Sequence, residues 1–181
     1  RSGIWADMLE YRKFYFPVTE NYAPYKALTD TDYPVVGASP WEIVGDPNLV
    51  AMVKTESFAG DHTPHLKEGA SIQQHELGVV SGKKYTGYIW LKSDTSKSAQ
   101  VRVSLGFNGK SSPGKTISAG NSKYEKTEFE FVALEDTDHA TLKIEVLDGD
   151  VFIGTVSLMP KDNINGMRSD TIALLKELNA P

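Results

Sequence analysis

The sequence predicts an all-β protein in which antiparallel sheets pack face to face as a sandwich, with a short helix near each terminus. Two observations lead to this class. Four segments in succession alternate apolar and polar side chains, as strands with one buried face do. Turns rich in glycine, serine, asparagine and aspartate separate these segments at intervals typical of sandwiches.

The four most regular strands are predicted at residues 84–92, 99–107, 124–132 and 139–147. In each of them one set of alternate side chains is mainly apolar and the other mainly polar, so one face packs in a core and the other meets water. The residues assigned to the core faces are Tyr85, Gly87, Ile89, Leu91, Val101, Val103, Leu105, Phe107, Thr127, Phe129, Phe131, Ala140, Leu142, Ile144 and Val146.

Further strands are predicted before and after this group. Residues 41–44, 49–54 and 72–80 have less regular strand patterns. Residues 149–160 are rich in β-branched and aromatic side chains and end at a proline, which indicates a last strand. Residues 106–112 combine glycine, asparagine, lysine and serine between strands, so they predict a hairpin turn and not a phosphate-binding loop.

The two ends of the chain are predicted to be helical. Ile4, Trp5, Met8 and Leu9 have helical spacing, so a short helix to about residue 12 is expected, followed by an extended connection. Residues 167–181 form an amphipathic pattern whose apolar stripe has no later element to cover it, so we expect a piece of a larger protein. The predicted regions are the N-terminal segment 1–33, the sandwich 34–160 and the C-terminal helical segment 161–181.

Composition excludes several classes of function. The 181 residues carry a net charge of -5, which is opposite to the charge expected of a nucleic-acid-binding surface. The sequence has no apolar run long enough to cross a bilayer, so no membrane partner is expected. There is no cysteine, which excludes disulfides and thiolate metal sites.

Both ends and the middle of the chain resemble a known enzyme family. Residues 156–181 are similar to the junction in family 51 glycoside hydrolases, mostly α-L-arabinofuranosidases, where a carbohydrate-binding-like sandwich rejoins a (β/α)8 barrel. Residues 3–18 resemble the segment before that sandwich, and residues 60–65 and 80–87 are similar more loosely. The resemblance implies a jelly-roll-like module of the family 4 or 9 type, without the catalytic glutamates. It implies that the missing barrel is a partner and that this chain alone is no enzyme.

A sugar-binding surface is predicted on the wet face of the strand at residues 84–92. Tyr88 and Trp90 stand two residues apart opposite the core face, with Lys92 beyond them, and flat rings with polar neighbours suit a sugar. Arg102 and Gln100 would add polar partners if the next strand lies beside this one on the same sheet face. Gln73 and His75, in a run of four hydrogen-bonding side chains, form a second candidate surface, although an ordinary solvated strand is the commoner meaning of such a run.

Three functions of different class remain open from the sequence. The first is a module that binds arabinan, arabinoxylan or xylan for a parent enzyme. The second is a non-binding structural insert that shapes the mouth of the parent's barrel, and packing is the commoner role of paired aromatic residues such as Tyr88 and Trp90. The third is an independent adhesion or assembly domain, which the unfinished C-terminal helix disfavours.

Neither catalysis nor a transition-metal site is expected. The regularly placed acids Glu128, Glu130 and Glu145 project from wet faces, where a raised pKa suited to glycosidase chemistry is unexpected. A transition-metal site is not expected, because Pro64 separates the nearest histidines and no cysteine completes a set. A structural calcium stays open, although Gly154 stands where similar modules often have a ligating aspartate. The candidate ligands of a transition metal are Asp61, His62, His65 and His75, and the candidate oxygen donors for calcium are Asp136, Asp138, Asp148 and Asp150.

Overall fold

Two antiparallel β-sheets pack face to face in the computed structural model, which describes residues 4–10, 12–14, 18, 40–60 and 62–178. This arrangement confirms the predicted fold class. The elements of the described residues are β1 (Trp41–Val44), a 3-10 turn (Pro47–Leu49), β2 (Val50–Val53), β3 (Thr63–Leu66), β4 (Ser71–Val79), β5 (Lys84–Ser93), β6 (Ala99–Phe107), β7 (Lys110–Ser111), β8 (Lys115–Ala119), β9 (Glu125–Val132), β10 (Thr137–Asp148), β11 (Val151–Pro160) and α1 (Ser169–Glu177).

The strand order determines which side chains can meet. One sheet has six strands in the order β1-β4-β10-β6-β7, with β8 also paired to β6. The other has five strands in the order β2-β3-β11-β5-β9. β5 and β6 follow each other along the chain but lie in opposite sheets, and so do β10 and β11. Their outward-facing side chains consequently point away from each other.

The core lies between the sheets, where alternation predicted it. The alternate apolar residues of β5, β6 and β10 are buried, and so are Phe129 and Phe131 of β9. Each fully buried aliphatic or aromatic side chain contributes roughly 1.5–3 kcal/mol, so this shared core holds the sheets together. The turn between β6 and β7 is the predicted hairpin, with Asn108 at φ 44° and Gly109 at φ 83°, as a type I′ turn requires.

Three strands have no clear sequence pattern. β3 contains Pro64, which has no N–H for a ladder, and β3 reaches β11 only at Val151 and Phe152. β7 and β8 are short and mostly exposed, so alternation has too few positions to be recognised. The sequence analysis therefore missed these strands.

The predicted N-terminal helix is wrong, because residues 4–10 contain no helix and the segment is hydrogen-bonded to β11. The Met8 N–H donates to the Leu158 carbonyl at 2.8 Å, and the Val156 N–H donates to the Arg12 carbonyl at 3.1 Å. β3 pairs with only the first two residues of β11, so this segment satisfies backbone groups that β3 leaves unpaired. Phe14 enters the core 5.2 Å from the Trp41 ring. Most of the predicted extended connection falls outside the described residues.

Gln74 also fastens this segment to the sandwich. It is a buried residue of β4, and its amide both accepts from the Glu10 N–H at 2.9 Å and donates to the Glu10 carbonyl at 3.1 Å. The Gln74 side chain therefore satisfies both backbone hydrogen-bonding groups of Glu10. These two bonds fix the position of the N-terminal segment at the edge of the sandwich.

The two chain ends meet in a short backbone pairing that we call the stem. The Ala6 N–H donates to the Gly166 carbonyl at 2.9 Å, and the Arg168 N–H donates to the Ile4 carbonyl at 2.8 Å. The predicted C-terminal helix is confirmed as α1, and it follows the stem directly. The apolar residues exposed on the stem and α1 are Ile4, Trp5, Ile164, Leu174, Leu175 and Leu178.

No helix in the described ranges combines the length and the apolar character needed to span a membrane.

Candidate functional site

The predicted sugar-binding patch is divided between the two sheets. Tyr88, Trp90 and Lys92 lie on β5 of the five-stranded sheet, whereas Gln100 and Arg102 lie on β6 of the six-stranded sheet. The expectation that Arg102 stands beside the aromatic pair is therefore wrong. Its physical reason is the connection after β5, which crosses to the opposite sheet and does not form a hairpin within one sheet.

Trp90 is covered by the chain's own loop between β2 and β3. Its ring lies 5.3 Å from the Phe58 ring, which in turn lies 4.9 Å from the ring of Tyr124. The Tyr124 hydroxyl donates to the Glu56 carbonyl at 2.7 Å, which fastens the loop over the sheet. Burial raises the pKa of Tyr124 to about 12. We call Phe58, Tyr88, Trp90 and Tyr124 the aromatic face.

The polar members of this region are also engaged within the protein. Lys92 Nζ lies 2.6 Å from a carboxylate oxygen of Glu56. Lys126 Nζ lies 4.5 Å from the centre of the Tyr88 ring, a cation–π contact. The aromatic face is therefore largely occupied by its own contacts, and Trp90 acts there as an anchor for the covering loop.

The outer surface of the six-stranded sheet has a different character, and we call it the polar face. Its side chains come from four neighbouring strands, because outward positions of β1, β4, β10 and β6 align across the sheet. Among the described strand residues that project from it, none is phenylalanine, tyrosine or tryptophan. It comprises Glu42, Gln73, His75, Gln100, Arg102, Ser104, Thr141, Lys143 and Glu145.

His75 lies at the centre of one hydrogen-bonded group on the polar face. Its Nε2 contacts the Glu42 carboxylate, which also accepts from the Gln73 amide. Its Nδ1 lies 3.0 Å from the Thr141 hydroxyl. The Glu42 side chain is only 18% exposed, so this carboxylate is held by defined partners and is not freely solvated. Gln73 and His75, predicted as one candidate surface, are indeed brought together here.

A second group surrounds Glu145. Arg102 Nε donates to one of its oxygens at 3.1 Å, and Lys143 Nζ lies 3.0 Å from the other. Partial burial opposes ionisation of this carboxyl, but the hydrogen bonds from Lys143 and Arg102 outweigh it and lower the pKa of Glu145. Gln100 lies further along β6 and donates to the Ser118 hydroxyl at 2.8 Å.

A groove of about 530 Å³ runs between these groups and the β6–β7 hairpin. Gln73, Thr141, Lys143 and Glu145 line its floor, and Lys110 of the hairpin borders it. The groove therefore offers donors and acceptors in close alternation. Sequence reasoning missed Glu42, Thr141, Lys143 and Glu145 as members of this surface, since only the strand pairing places them beside Gln73.

A cleft larger than this groove lies elsewhere, between the stem, α1 and the sandwich. It measures about 1070 Å³ and is bordered by Trp5, whose residue is 71% exposed. Aspartates and Lys83 contribute to its walls, and Tyr85 lies at its base.

The carboxyl groups with shifted pKa values are unsuited to general acid catalysis near neutral pH. In the part of the chain that the structure describes, each shifted carboxyl has its pKa lowered, in most cases by a hydrogen bond or ion pair with a lysine or arginine. A glycosidase acid needs the opposite shift. The groups concerned are Glu130, Glu135, Glu145, Asp162 and Asp170.

Comparison with known proteins identifies the fold. No family model matches the chain, and no curated protein matches it by sequence. Among solved structures, the CBM22-1–CBM22-2 tandem domain of Paenibacillus barcinonensis Xyn10C matches with a TM-score of 0.56 and 11% identity, over 88% of this chain and 47% of that one.

Two further matches carry bound sugars. The CBM22-1–GH10 modules of Clostridium thermocellum xylanase 10B, complexed with xylohexaose, match with a TM-score of 0.54 and 13% identity, over 69% of this chain and 27% of that one. TmCBM61, in complex with beta-1,4-galactotriose, matches with a TM-score of 0.51 and 16% identity, over 68% of this chain and 90% of that one. At such low identity the likeness establishes a shared fold, that of carbohydrate-binding modules.

Proposed function

We propose that this chain is a non-catalytic carbohydrate-binding module whose binding surface is the polar face. The observation that carries the proposal is the groove on that face, formed by side chains of several neighbouring strands in a fold shared with carbohydrate-binding modules. The aromatic face is a weaker candidate, because Phe58 and Lys126 already cover its rings.

The chemistry of the groove suits a chain of hydroxyl groups. Each sugar hydroxyl donates one hydrogen bond and accepts others, so a surface that binds it needs both kinds of partner close together. Glu145 supplies fixed acceptor oxygens between the donors Arg102 and Lys143, while the Gln73 amide supplies both. Since these groups are already positioned by their mutual bonds, little side-chain entropy is lost when a ligand binds.

The proposed ligand is a plant cell-wall polysaccharide such as xylan, arabinoxylan or arabinan. Support comes from the complexes with xylohexaose and with beta-1,4-galactotriose among the proteins that contain this fold. The resemblance of residues 156–181 to family 51 glycoside hydrolases supports a parent enzyme of the α-L-arabinofuranosidase type, with a barrel as the intramolecular partner.

The alternative function is a structural insert that shapes the mouth of that barrel without binding sugar. The exposed apolar residues favour it: Trp5 of the stem is 71% exposed, Leu174 of α1 60%, and Leu178 at the end of α1 70%. An apolar surface of this kind is typical of a contact with another protein body. The stem favours it too, because an insert must enter and leave its host at neighbouring points.

Calorimetric titration with xylohexaose, arabinan oligosaccharides and β-1,4-galactotriose tests the proposal. We expect binding by the unmodified chain and at least a tenfold loss for Glu145→Gln, because one charge-assisted acceptor is removed. Glu128→Gln is the matched control, since Glu128 projects from β9 of the other sheet with a 78% exposed side chain.

Three results distinguish the alternatives. Binding that Glu145→Gln weakens and Glu128→Gln leaves unchanged supports the polar face. Binding that Glu145→Gln does not affect, but Tyr88→Ala abolishes, would move the site to the aromatic face. Absence of heat at millimolar concentrations of all three sugars would reject sugar binding and favour the structural insert.

A further inference from the structure

Three side chains that commonly bind metals converge at one end of the five-stranded sheet. His65 belongs to β3, Asp94 follows β5 and Asp150 precedes β11. One ligand atom from each lies within 4.8 Å of the others. This group shares no residue with the polar face. None of its members takes part in the proposed sugar site.

The His65 ring has a fixed position, and its Nε2 faces the Asp94 carboxylate. It stacks on Phe152 with ring centres 4.7 Å apart, and its side chain is only 15% exposed. Nε2 lies 2.8 Å from Asp94 Oδ2, yet it is buried and makes no hydrogen bond of acceptable geometry. A buried polar atom without a well-aligned hydrogen bond is costly, and a bound ion between Nε2 and the carboxylate would remove that cost.

The backbone around the two aspartates is held in place independently. The Asp94 N–H donates to the Asp150 carbonyl at 2.9 Å, and Asp150 Oδ1 accepts from the Glu68 N–H at 3.0 Å. Glu68 in turn accepts from the Gly149 N–H at 3.2 Å. The turn before β11 is therefore bonded both to the end of β5 and to the turn after β3, so the ligand-bearing segments keep their spacing.

We propose that His65, Asp94 and Asp150 bind a divalent transition-metal ion of the Zn²⁺ class, with water completing its coordination. An imidazole nitrogen with two carboxylates is a ligand set that Zn²⁺ accepts, whereas Ca²⁺ prefers six to eight oxygens. Metal–ligand bonds of about 2.0–2.1 Å place neighbouring ligand atoms roughly 3 Å apart, which is close to the separation of His65 and Asp94. The Asp94 side chain is 44% exposed, so it can rotate to complete the site.

This ligand set differs from the groups considered in the sequence. The sequence groups His65 with Asp61, His62 and His75, but His75 lies on the opposite sheet and Asp61 falls outside the described residues. Asp150 was one of four possible calcium donors. The strand pairing is what brings Asp150 to His65, because Phe152 of β11 stands opposite His65 of β3.

The test is a titration of the untagged, EDTA-treated protein with ZnCl₂, followed by calorimetry and by thermal unfolding. We expect one site per chain and a melting temperature higher by about 5–10 °C at Zn²⁺ concentrations near a hundred times Kd. Both His65→Gln and Asp94→Asn should weaken binding at least tenfold. His139→Gln is the matched control, because His139 also pairs with a carboxylate, Glu76 at 2.6 Å, but belongs to the other sheet.

The outcomes separate cleanly. Loss in both variants with retention in His139→Gln supports the site. No binding up to 100 µM Zn²⁺, or binding that Asp94→Asn leaves unchanged, overturns the proposal. If His65→Gln fails to fold because the stack on Phe152 is lost, Asp94→Asn decides alone, since its side chain is largely exposed. Replacement of Zn²⁺ by Co²⁺ gives an independent readout, because visible absorption bands that disappear in Asp94→Asn require direct ligation.

Discussion

Gly154 leaves the space that the Phe58 ring occupies on the aromatic face, so Gly154→Ala should destabilise the sandwich. A Cβ at this position would lie 2.5 Å from Cγ of Phe58, with two more ring atoms at 2.8 and 2.9 Å. Ordinary contacts between carbon atoms are about 3.5–4.0 Å, so the ring or the strand must move. Overpacking of this kind costs roughly 1–3 kcal/mol, which lowers the melting temperature of a domain this size by about 2–10 °C.

A double-mutant cycle with Phe58→Ala isolates this contact. Phe58→Ala alone should cost about 1–2 kcal/mol, less than for a fully buried phenylalanine, because the residue is only partly buried. In the Phe58→Ala background the ring is gone, so Gly154→Ala should cost less than about 0.5 kcal/mol. Urea unfolding followed by tryptophan fluorescence measures all four free energies of unfolding.

Fluorescence also reports on Trp90 directly. The protein has three tryptophans; Trp5 is 71% exposed and Trp41 is fully buried, so loss of Phe58 should red-shift mainly the Trp90 emission. If Gly154→Ala costs the same in both backgrounds, the reasoning is refuted, and the cost arises from the β11 backbone at its register shift between Ile153 and Thr155. If it costs nothing in either background, the ring does not rest on Gly154.

Three further predictions concern single groups. Gln74→Leu should cost about 2 kcal/mol and speed amide exchange at Glu10, because both backbone bonds to its side chain are lost; unchanged exchange would contradict this. The lowered pKa of Glu145 stabilises the fold above the ordinary glutamate range, so Glu145→Gln should cost about 0.5 kcal/mol at pH 7 in urea unfolding. This difference should vanish as the pH falls through the lowered Glu145 pKa, and a difference that does not shrink on acidification would contradict the assignment. The raised pKa of Tyr124 predicts that stability falls as pH rises from about 10 towards about 12, and that Tyr124→Phe removes the last phase of an absorbance titration at 295 nm.

Alternation along the strands predicted the core well, because the pattern within each strand marks which of its faces is apolar and therefore buried. Val101, Val103, Leu105 and Phe107 illustrate this, since all four are buried. Alternation does not indicate which strands are neighbours in a sheet. The separation of Arg102 from Trp90 follows from a crossover between sheets, and no residue of the connecting turn distinguishes that crossover from a hairpin within one sheet.

The polar face shows the same limit at the level of function. Gln73 and His75 stood out in the sequence because four hydrogen-bonding residues follow each other. Glu145 and Lys143 did not, because charged residues on the wet side of a strand are common. Only the register of β10 against β4 and β6 places Lys143 and Glu145 beside the predicted site residues Gln73 and Arg102.

The N-terminal segment shows how tertiary pairing overrides local preference. Ile4, Trp5, Met8 and Leu9 have the spacing of a helix face, but Met8 pairs with Leu158 of β11. The backbone groups that β3 leaves unpaired along β11 would be costly if buried without partners, and a helix cannot supply these partners. Helical propensity is a weak preference by comparison, so the extended form is adopted.

The stem has a mechanical consequence. Its two hydrogen bonds, from Ala6 to Gly166 and from Arg168 to Ile4, join antiparallel strands whose outer ends lie side by side. A pulling force applied between residues 4 and 168 therefore loads these bonds one after the other, like a zipper, and not all at once as in shear. The stem should therefore separate at a low force, and the force would load the two packed sheets only after that. The stem would lengthen under tension while the sandwich stays folded.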